Sequence, residues 1–540
     1  MSISSLLMAI VLAAIPLTLI LAAVPAGLQT RRFSFSDDQR WRFAWRAAQA
    51  ITLLTLSAIA LALLLPDAGL HWLSDQPLRL TLLLLLSVMA LVVVKFSRRY
   101  LAADPGFGRY LRWLLLTLAA VALVFISNHL LLFALGWIAI SLALHQLLMF
   151  YPERPRAALA AHKKFLLARL AEISLLVAFY LLWQQHGTAN IDAIISAYQA
   201  PAALSLNEQV AAVLIALTAL IKCAQLPVHG WLIQVVEAPT PVSALLHAGV
   251  INLGGFLLIL FAPLFLQVAA AQWLVLVVAG LTTVLAALIM TTRISIKVRL
   301  AWSTSAQMGL MLIECALGMV ELALLHLLAH SAYKAWAFLS SGSAVQQHVQ
   351  QSLLIAPPAA ARRWLLAMLT AAGLVAAAWW FSVQLSAQLH TGIQPVSGWL
   401  LLTLALTVLL AQRVPGGWSL LLATGLVLAY SLLKILLQPL TGNLPEVLRV
   451  QWFSAADLWV SALFLLLFSV WWLLRYRAHW PLVQRLSLAL FAGLYLDEWF
   501  TRITLRLWPA RLPVRANPKQ LAPHQGAKHV LASGRKEQLL

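Results

Sequence analysis

Three ionisable residues stand at four-residue spacing inside one apolar stretch of this chain: His326, His330 and Lys334. An α-helix places residues at this spacing on one face, so the three form a single polar stripe. An ionisable side chain at the centre of a bilayer costs about 2.5–3.5 kcal/mol, which predicts a functional reason for each. Histidine titrates near neutral pH and has two ring nitrogens that can pass a proton, so the stripe predicts a proton relay.

Other ionisable residues lie in neighbouring apolar stretches, close to prolines. Lys222 stands five residues before Pro227, and His247 follows Pro239 and Pro241. Prolines in membrane helices free backbone carbonyls, so we expect Pro227, Pro239 and Pro241 to mark helix breaks beside a hydrated cavity. A lysine loses its proton more readily when stripped of water and less readily beside a carboxylate. The pattern therefore predicts Lys222 as a proton switch and His247 as a relay.

Four further charged residues lie within the apolar stretches, and their roles differ. Arg169 and Glu172 are three residues apart and share a helix face, which favours a structural ion pair for Arg169 and a tuning role at Lys222 for Glu172. Glu314 belongs either to the proton path or to a helix–helix hydrogen bond. Lys434 either extends towards the membrane interface or forms a structural pair. For the whole set, purely structural burial is the alternative to proton transfer.

Residues that hold metals and haem are sparse in this sequence. Cys223 and Cys315 are the only cysteines and both lie in apolar segments, which excludes a disulfide framework and an iron–sulfur cluster held by this chain. Ligation of haem by two histidines needs one on each of two helices, whereas His326 and His330 share one. We therefore expect no metal and no other cofactor in this chain.

The elements that must position these residues are membrane-spanning helices. Of the 540 residues, 62% are hydrophobic and 10% are charged. Soluble domains carry about 25% charged residues, and an apolar run of about 20 residues crosses a bilayer as a helix. The composition predicts an all-α, polytopic membrane protein of about fifteen transmembrane helices, some discontinuous. The predicted spans are 5–28, 43–65, 79–97, 110–127, 130–150, 162–183, 208–231, 241–262, 270–291, 300–318, 321–344, 364–385, 398–412, 417–438 and 456–475.

Basic residues are concentrated in alternate connections between the predicted spans. The net charge of +20 is then explained by loops on one side of the membrane and a basic tail, rather than by nucleic-acid binding. Lys163 and Lys164 count among these loop residues in this interpretation. The positive-inside rule places the N-terminus outside and the C-terminus in the cytoplasm, with the first apolar segment retained as a helix.

Several sequence blocks resemble those of a known family. They read IKCAQLPVHGWL at 221–232, EAPTPVSALLHA at 237–248, AWSTSAQMG at 301–309 and LSSGS at 339–343. These blocks look like the signature of antiporter-like proton-translocating subunits, the large membrane subunits of respiratory complex I and of cation/proton antiporters. The resemblance implies an antiporter-like subunit fold.

The resemblance covers residues 110–345, the expected proton-translocation core, with N-terminal transmembrane helices at 1–109 and diverged transmembrane helices at 346–481. In the last segment, 482–540, alternating apolar and charged residues predict an interfacial amphipathic helix, or a last, partly exposed helix, followed by a basic cytoplasmic tail. Residue by residue, the resemblance implies that Lys222 is the proton-binding switch and Glu172 its acid. The remaining matches imply a relay through His247, His326, His330 and Lys334.

Two positions depart from the pattern of that family. Ile138 follows Trp137 where members usually carry the glutamate that partners the lysine, so Glu172 or another acid must replace it. The predicted span 364–385 lacks the lysine beside a proline or glycine break that usually forms the exit half-channel. The second half-channel is therefore expected to be missing or rebuilt.

With these departures the chain resembles the membrane subunit of two-component DAB inorganic-carbon accumulation systems. The resemblance implies a bacterial inner-membrane subunit, not itself an enzyme, that conducts H⁺ (or Na⁺) and drives uptake of CO2 or bicarbonate. The implied partner is a large cytoplasmic carbonic-anhydrase-like subunit that holds zinc. Two alternatives stay open: a pump or antiporter subunit of a complex-I-like, hydrogenase or Na⁺/H⁺ antiporter assembly, and a membrane anchor that has lost conduction.

Overall fold

A computed structural model describes residues 3–27, 35–65, 71–201, 203–343, 346, 349, 360–389, 395–411, 418–441, 450–451 and 453–508 of the chain. These described residues form α-helices and short connections, without a β-strand. The first twelve helices are α1 (Ile3–Gly27), α2 (Asp37–Leu64), α3 (Pro77–Tyr100), α4 (Phe107–Ile126), α5 (Leu130–Leu148), α6 (Pro155–His186), α7 (Ile191–Ser196), α8 (Leu206–Lys222), α9 (Gly230–Gln234), α10 (Thr240–Ala248), α11 (Leu253–Leu260) and α12 (Ala262–Phe265). The others are α13 (Ala269–Met290), α14 (Ile296–Ala316), α15 (Val320–Leu339), α16 (Ala361–Leu389), α17 (Val396–Ala411), α18 (Trp418–Thr441), α19 (Ala455–Tyr476), α20 (Pro481–Phe491) and α21 (Glu498–Leu507).

The predicted class, an all-α polytopic membrane protein with discontinuous helices, is confirmed. Each of the fifteen predicted spans coincides with one of these helices or with an interrupted pair. Within the described ranges, 11 helices are long and apolar enough to cross a membrane, by length and composition. The number of fifteen spans stays a prediction, because α14 and α15 carry many polar residues and α8 and α17 are short.

Local sequence signals explain where several helices begin and end. Ser205 caps α8 in a reciprocal arrangement in which its hydroxyl accepts from the amide of Glu208 and the Glu208 carboxylate accepts from the Ser205 amide. A proline in the first turn of α6 needs no hydrogen-bond partner for its nitrogen. At the other end of α6, Gly187 adopts a φ of 64°, a left-handed conformation that glycine tolerates best.

The helix break predicted near Pro227 begins five residues earlier, where α8 ends at Lys222. Neighbouring helices satisfy the backbone groups of the break: Thr282 Oγ1 accepts from the Leu226 amide at 3.0 Å, and Ser305 Oγ donates to the Ala224 carbonyl at 3.0 Å. Irregular backbone at membrane depth is tolerated where protein or a cavity surrounds it. The break therefore makes Lys222 the last residue of a helix that ends in the interior of the bundle.

A second interruption lies in the next segment. Pro239 stands just before α10 and Pro241 lies in its first turn, so these prolines begin a helix. The interruption within this predicted span comes at residues 249–252, between α10 and α11. Of the 18 most apolar consecutive residues in Thr240–Leu260, 94% are buried within the protein, compared with 17% of the corresponding residues in Ala361–Gln384. The interrupted helices therefore occupy the centre of the bundle, and α16 lies at its periphery.

The segment predicted as an interfacial amphipathic helix forms two short helices, α20 and α21. Leu494 and Tyr495, between them, have positive φ angles of 52° and 54°. Arg293 holds this segment by donating to the carbonyls of Phe491 at 2.9 Å and Leu490 at 3.2 Å. The predicted basic tail, residues 509–540, lies outside the described residues.

Candidate functional site

A small internal cavity of about 30 Å³ lies at the break in α8. One water needs about 10–15 Å³ measured in this way, so the cavity has room for about two. It is lined by Trp137, Ser141, Leu144, Lys164, Leu167, Ala168, Ala171, Glu172, Ile221, Lys222, Trp231, Val250 and Ile251. Helices α5, α6 and α8 and the break between α10 and α11 therefore meet at one polar point inside an apolar bundle.

Lys222, the predicted switch, lies in this cavity with its Nζ 4.5 Å from the centre of the Trp137 ring. A lysine ammonium over an indole face gains a cation–π attraction of about 0.5–2 kcal/mol. Among the described side chains, no carboxylate lies within ion-pairing distance of Lys222. Ile138, where the family carries glutamate, is not among the cavity-lining residues. In the described structure the Lys222 ammonium thus has an aromatic contact and no direct ion pair.

Glu172, the predicted acid, lines the same cavity and is nearly buried. Its Oε1 accepts from the Arg169 guanidinium at 2.8 Å, and Arg169 also donates to Ser141 Oγ at 2.9 Å. Arg169 and Glu172 are three residues apart on α6, which brings the two side chains together. Glu172 is therefore anchored on one side by Arg169 and faces Lys222 across the cavity.

Lys164 is a cavity residue that the sequence analysis missed. It was assigned with Lys163 to a cytoplasmic loop, but α6 begins at Pro155 and buries both lysines. Lys164 Nζ donates to the Ser141 carbonyl at 2.6 Å and to its hydroxyl at 3.2 Å. The spacing of eight residues between Lys164 and Glu172 places both on one helix face, and this was the signal that could have identified it.

Lys163 points away from the cavity, towards the last helices of the described chain. Its Nζ lies 2.6 Å from Asp497 Oδ2 and 2.6 Å from Thr501 Oγ1. Gln234, at the end of α9, donates to the same Asp497 oxygen at 2.8 Å. The sequence analysis did not identify this cluster, which fixes the segment before α21 to the beginning of α6.

His247, a predicted relay residue, is fully buried near the end of α10. Its ring stacks on Phe338 at a centroid distance of 4.3 Å, and Nδ1 lies 3.1 Å from Thr304 Oγ1. Two residues that line the Lys222 cavity, Val250 and Ile251, follow His247 closely at the α10–α11 break. His247 therefore lies between the Lys222 cavity and α15.

The predicted stripe on α15 is present as a row of three side chains. Lys334 Nζ donates to Ser303 Oγ at 2.8 Å and to the Leu300 carbonyl at 3.2 Å. The ring nitrogens of His330 have no hydrogen-bond partner among the described residues, and its ring lies 6.1 Å from that of His326. With a rise of 1.5 Å per residue, the stripe covers about 12 Å along α15.

At the far end of the stripe, His326 pairs with a carboxylate of α14. Its Nδ1 lies 3.0 Å and 3.2 Å from the two oxygens of Glu314. Glu314 is near the end of α14 and Lys334 near the end of α15, so the antiparallel helices place them at opposite ends of the row. The hydrogen bond between helices, one of the two roles left open for Glu314, is present.

One remaining candidate cannot be placed at atomic detail. Lys434 belongs to α18, but its side chain lies outside the described residues. In the described part of the chain, no group of three or more His, Cys, Asp or Glu side chains is arranged to hold a metal ion. The structure thus brings together two sets of ionisable residues. One set surrounds Lys222, and the other consists of His247 of α10, Glu314 of α14 and the three residues of the α15 stripe.

Sequence comparison relates the chain to membrane subunits of energy-converting complexes. The family described as "NADH:quinone oxidoreductase/Mrp antiporter, TM" matches residues 127–410. The "Probable inorganic carbon transporter subunit DabB" of Hydrogenovibrio crunogenus is 46% identical over 503 residues, which cover 89% of this chain and 93% of that protein. The DabB2 protein of Halothiobacillus neapolitanus, named in the same way, is 35% identical over 93% of this chain and 95% of its own length. The NADH-quinone oxidoreductase subunit L of Mycobacterium tuberculosis is 30% identical over 62% of this chain and 57% of its own.

Structural comparison supports the same fold. A chain of the Mrp complex from Dietzia sp. DQ12-45-1b aligns with 98% of this chain and 59% of its own length, with a TM-score of 0.55 and 21% identity. At that identity the likeness concerns the fold alone. Together, the sequence and structural comparisons confirm the resemblance that the motifs at 221–248 and 301–343 carry.

Proposed function

This chain belongs to the NADH:quinone oxidoreductase/Mrp antiporter membrane family and resembles, within it, the DabB subunits of inorganic carbon transporters; from this premise we propose that it conducts protons to drive inorganic carbon uptake. The protons move down their gradient through the chain. The CO2 or bicarbonate chemistry takes place in a large cytoplasmic, zinc-binding, carbonic-anhydrase-like partner. The complex lies in a bacterial inner membrane, with the N-terminus of this chain outside and its C-terminus in the cytoplasm.

The observation that carries this proposal is the row of ionisable groups through the middle of the bundle. Glu172 and Lys222 share one cavity, and Lys334, His330 and His326 follow one another along α15. His247 lies between these two groups, against Phe338 of α15. Several charges buried in successive helices are too costly to be accidental, so the row favours proton transfer over inert anchoring.

In the proposed mechanism Lys222 is the switch. Its ammonium is supported by the face of Trp137 and by no direct carboxylate partner in the described structure, so it can release a proton without first breaking an ion pair. Glu172 is held by Arg169 at 2.8 Å and supplies a fixed negative charge across the cavity. A proton that leaves Lys222 passes by way of cavity water to His247, and from there to Lys334 and the histidines of α15.

The decisive experiment replaces the switch. The Lys222→Ala variant, expressed with its partner in cells that lack other carbon uptake systems, should assemble normally but take up no labelled bicarbonate or CO2. The matched control is Lys95→Ala, because Lys95 is an exposed lysine of α3 outside the row. Normal uptake by an assembled Lys222→Ala complex would exclude the proposed role of the row.

A second candidate function is a subunit of a redox-driven or cation/proton antiporter assembly. The 30% identity to an NADH-quinone oxidoreductase subunit L and the fold shared with an Mrp chain favour it. Affinity purification of the tagged chain from its native membrane separates the two functions. A single large zinc protein in the purified complex supports carbon uptake, whereas iron–sulfur or quinone-reactive subunits, or several antiporter subunits, support the second candidate.

A further inference from the structure

A second and larger cavity, of about 210 Å³, lies at the Glu314 end of the row. It is bounded by α14, α15, α17, α18 and α19, and most of its lining is apolar. Its polar lining side chains are those of Glu314, Ser397 and Tyr430. At about 10–15 Å³ per water, as for the Lys222 cavity, this space admits several waters beside a buried carboxylate.

Two of the three polar side chains at the cavity wall, Glu314 and Ser397, differ in their hydrogen bonding. Glu314 is 5% exposed, and one of its carboxylate oxygens is hydrogen-bonded to His326 Nδ1 at 3.0 Å. Ser397 is fully buried, and its hydroxyl has no hydrogen-bond partner among the described residues. Ser397 therefore contributes an unpartnered polar group to the wall of the cavity.

The wall that carries Ser397 is firmly held. The buried carboxylate of Asp457, in α19, accepts from the amides of Ser397 at 2.8 Å and Val396 at 3.0 Å. This arrangement satisfies two of the unpaired amides at the start of α17. The backbone of Ser397 is thus tied to α19, so the cavity is part of the folded bundle.

The proton path needs another terminal site because α16 lacks the lysine that usually forms the exit half-channel in this family. Within its predicted span, 364–385, α16 contains no lysine, and its charged residues Arg362 and Arg363 stand at its first turn. Beyond His326 the described chain offers two buried carboxylates, Glu321 in the first turn of α15 and Glu314 of α14, and of these Glu314 contacts His326 and borders the cavity. Glu314 lies beyond His326 and borders the cavity, as the terminal proton site of such a row must.

We propose that Glu314 is the terminal proton-carrying residue of the pathway and that water in the α14–α15–α17–α18–α19 cavity connects it to the membrane surface. This inference rests on the proposed function and adds to it a residue and an access route. A proton arriving from His330 bonds to Nε2 of His326, and the Nδ1–H bond of His326 breaks as its proton bonds to a carboxylate oxygen of Glu314. That O–H bond then breaks as the proton bonds to a cavity water, which carries it towards the membrane surface.

The first test separates proton transfer from structural support. Glu314→Gln retains the size of the side chain and a hydrogen-bonding partner for His326, but it cannot carry a proton. We expect this variant to assemble and to lower carbon uptake about tenfold or more, and Glu314→Asp to retain substantial uptake. If Glu314→Gln supports uptake at the wild-type rate while Lys222→Ala abolishes it, the terminal site is wrong and the proposed function stands. If neither variant affects uptake, both are wrong.

The second test blocks the cavity without changing a titratable group. A Cβ on Gly398 would lie 3.5 Å from Met319 Sδ, an ordinary contact, so alanine fits at this position. Gly398→Leu should fill the cavity beside Glu314 and slow uptake, whereas Gly398→Ala should leave it unchanged. Stability of both purified complexes is measured alongside. A stable Gly398→Leu complex with an unchanged uptake rate would exclude this cavity as the access route.

Discussion

Lys163 and Asp497, which are 334 residues apart in the sequence, form an ion pair of 2.6 Å that joins the beginning of α6 to the segment before α21. The Lys163 side chain is fully buried, while that of Asp497 is 25% exposed. The same α6 carries Lys164 and Glu172 into the cavity of Lys222. The end of the described chain is therefore attached directly to the helix that positions the candidate switch.

The first prediction follows from the unequal burial of this pair. Removal of Asp497 leaves a buried ammonium without its carboxylate, so Asp497→Ala should destabilise the protein by about 3 kcal/mol. Lys163→Met should cost less, because the carboxylate left behind still reaches solvent. The measurement is the thermal unfolding temperature of the protein in detergent.

The double variant Lys163→Met/Asp497→Leu is the control for this prediction. Apolar residues of similar volume often replace a buried ion pair without loss of stability, so the double variant should be more stable than Asp497→Ala. Equal stability of Asp497→Ala and the wild type would show that the pair contributes nothing to the attachment of the segment.

The second prediction concerns Gly230, the first residue of α9. A Cβ at this position would overlap the carboxylate of Asp497, because the chain passes directly against that side chain. Gly230→Ala should therefore displace Asp497 from Lys163 and make the segment before α21 more sensitive to protease. Gly425→Ala in α18 is the matched control, because a methyl group added there would have no neighbour within 4 Å and alanine favours a helix. Equal protease sensitivity of the two variants would contradict the prediction.

The third prediction is a pH dependence at the surface end of α2. The hydrogen bond and charge of Arg42, together with Arg98 at 2.8 Å, hold the pKa of Asp38 below its usual value of 3.8. A lowered carboxyl pKa stabilises the folded state above the unfolded pKa, and this contribution disappears as the pH falls through the lowered value. The wild type should thus unfold at a slightly higher temperature than Asp38→Asn at pH 7.

The difference between these two proteins should shrink as the pH approaches 3 and should also shrink in high salt. The Asp38 side chain is 40% exposed, so its ion pairs are screened by solvent and salt. Unfolding temperatures are compared at pH 7 and pH 3, each at low and high salt. A difference that grows on acidification would mean that the charges around Asp38 act in the opposite sense.

Particular residues show how far the sequence predicts this molecule. The polar stripe on α15 and the helix break after Lys222 follow from spacing and from proline, because both are local properties of the chain. The sharing of one cavity by Glu172 and Lys222 was expected from the family pattern. By contrast, the pairing of Lys163 with Asp497 depends on how distant helices pack, and nothing in the local sequence of either residue specifies it.

The misplacement of Lys164 has a different cause. Charge alone favours a loop, and Lys164 follows Arg154 and Arg156, so the positive-inside pattern assigned it to the cytoplasm. The structure instead extends α6 back to Pro155 and satisfies the buried ammonium with the carbonyl of Ser141. A helix that begins before its apolar segment can thus bury charges that the positive-inside pattern assigns to loops.

The fourth prediction tests whether Lys164 acts in the proton switch. Lys164, Arg169 and Lys222 all lie near Glu172, so Lys164→Ala leaves one cation fewer to compete for that carboxylate. Glu172 then attracts Lys222 more strongly, the proton of Lys222 is released more slowly, and carbon uptake should fall by about tenfold, the effect of about 1.4 kcal/mol on a rate. Lys164→Arg keeps the positive charge and should retain most of the uptake. Lys95→Ala, which alters an exposed lysine, should have no effect. If Lys164→Ala and Lys164→Arg lower uptake equally while both complexes assemble, the hydrogen bonds of Lys164 to Ser141, rather than its charge, are what the site requires.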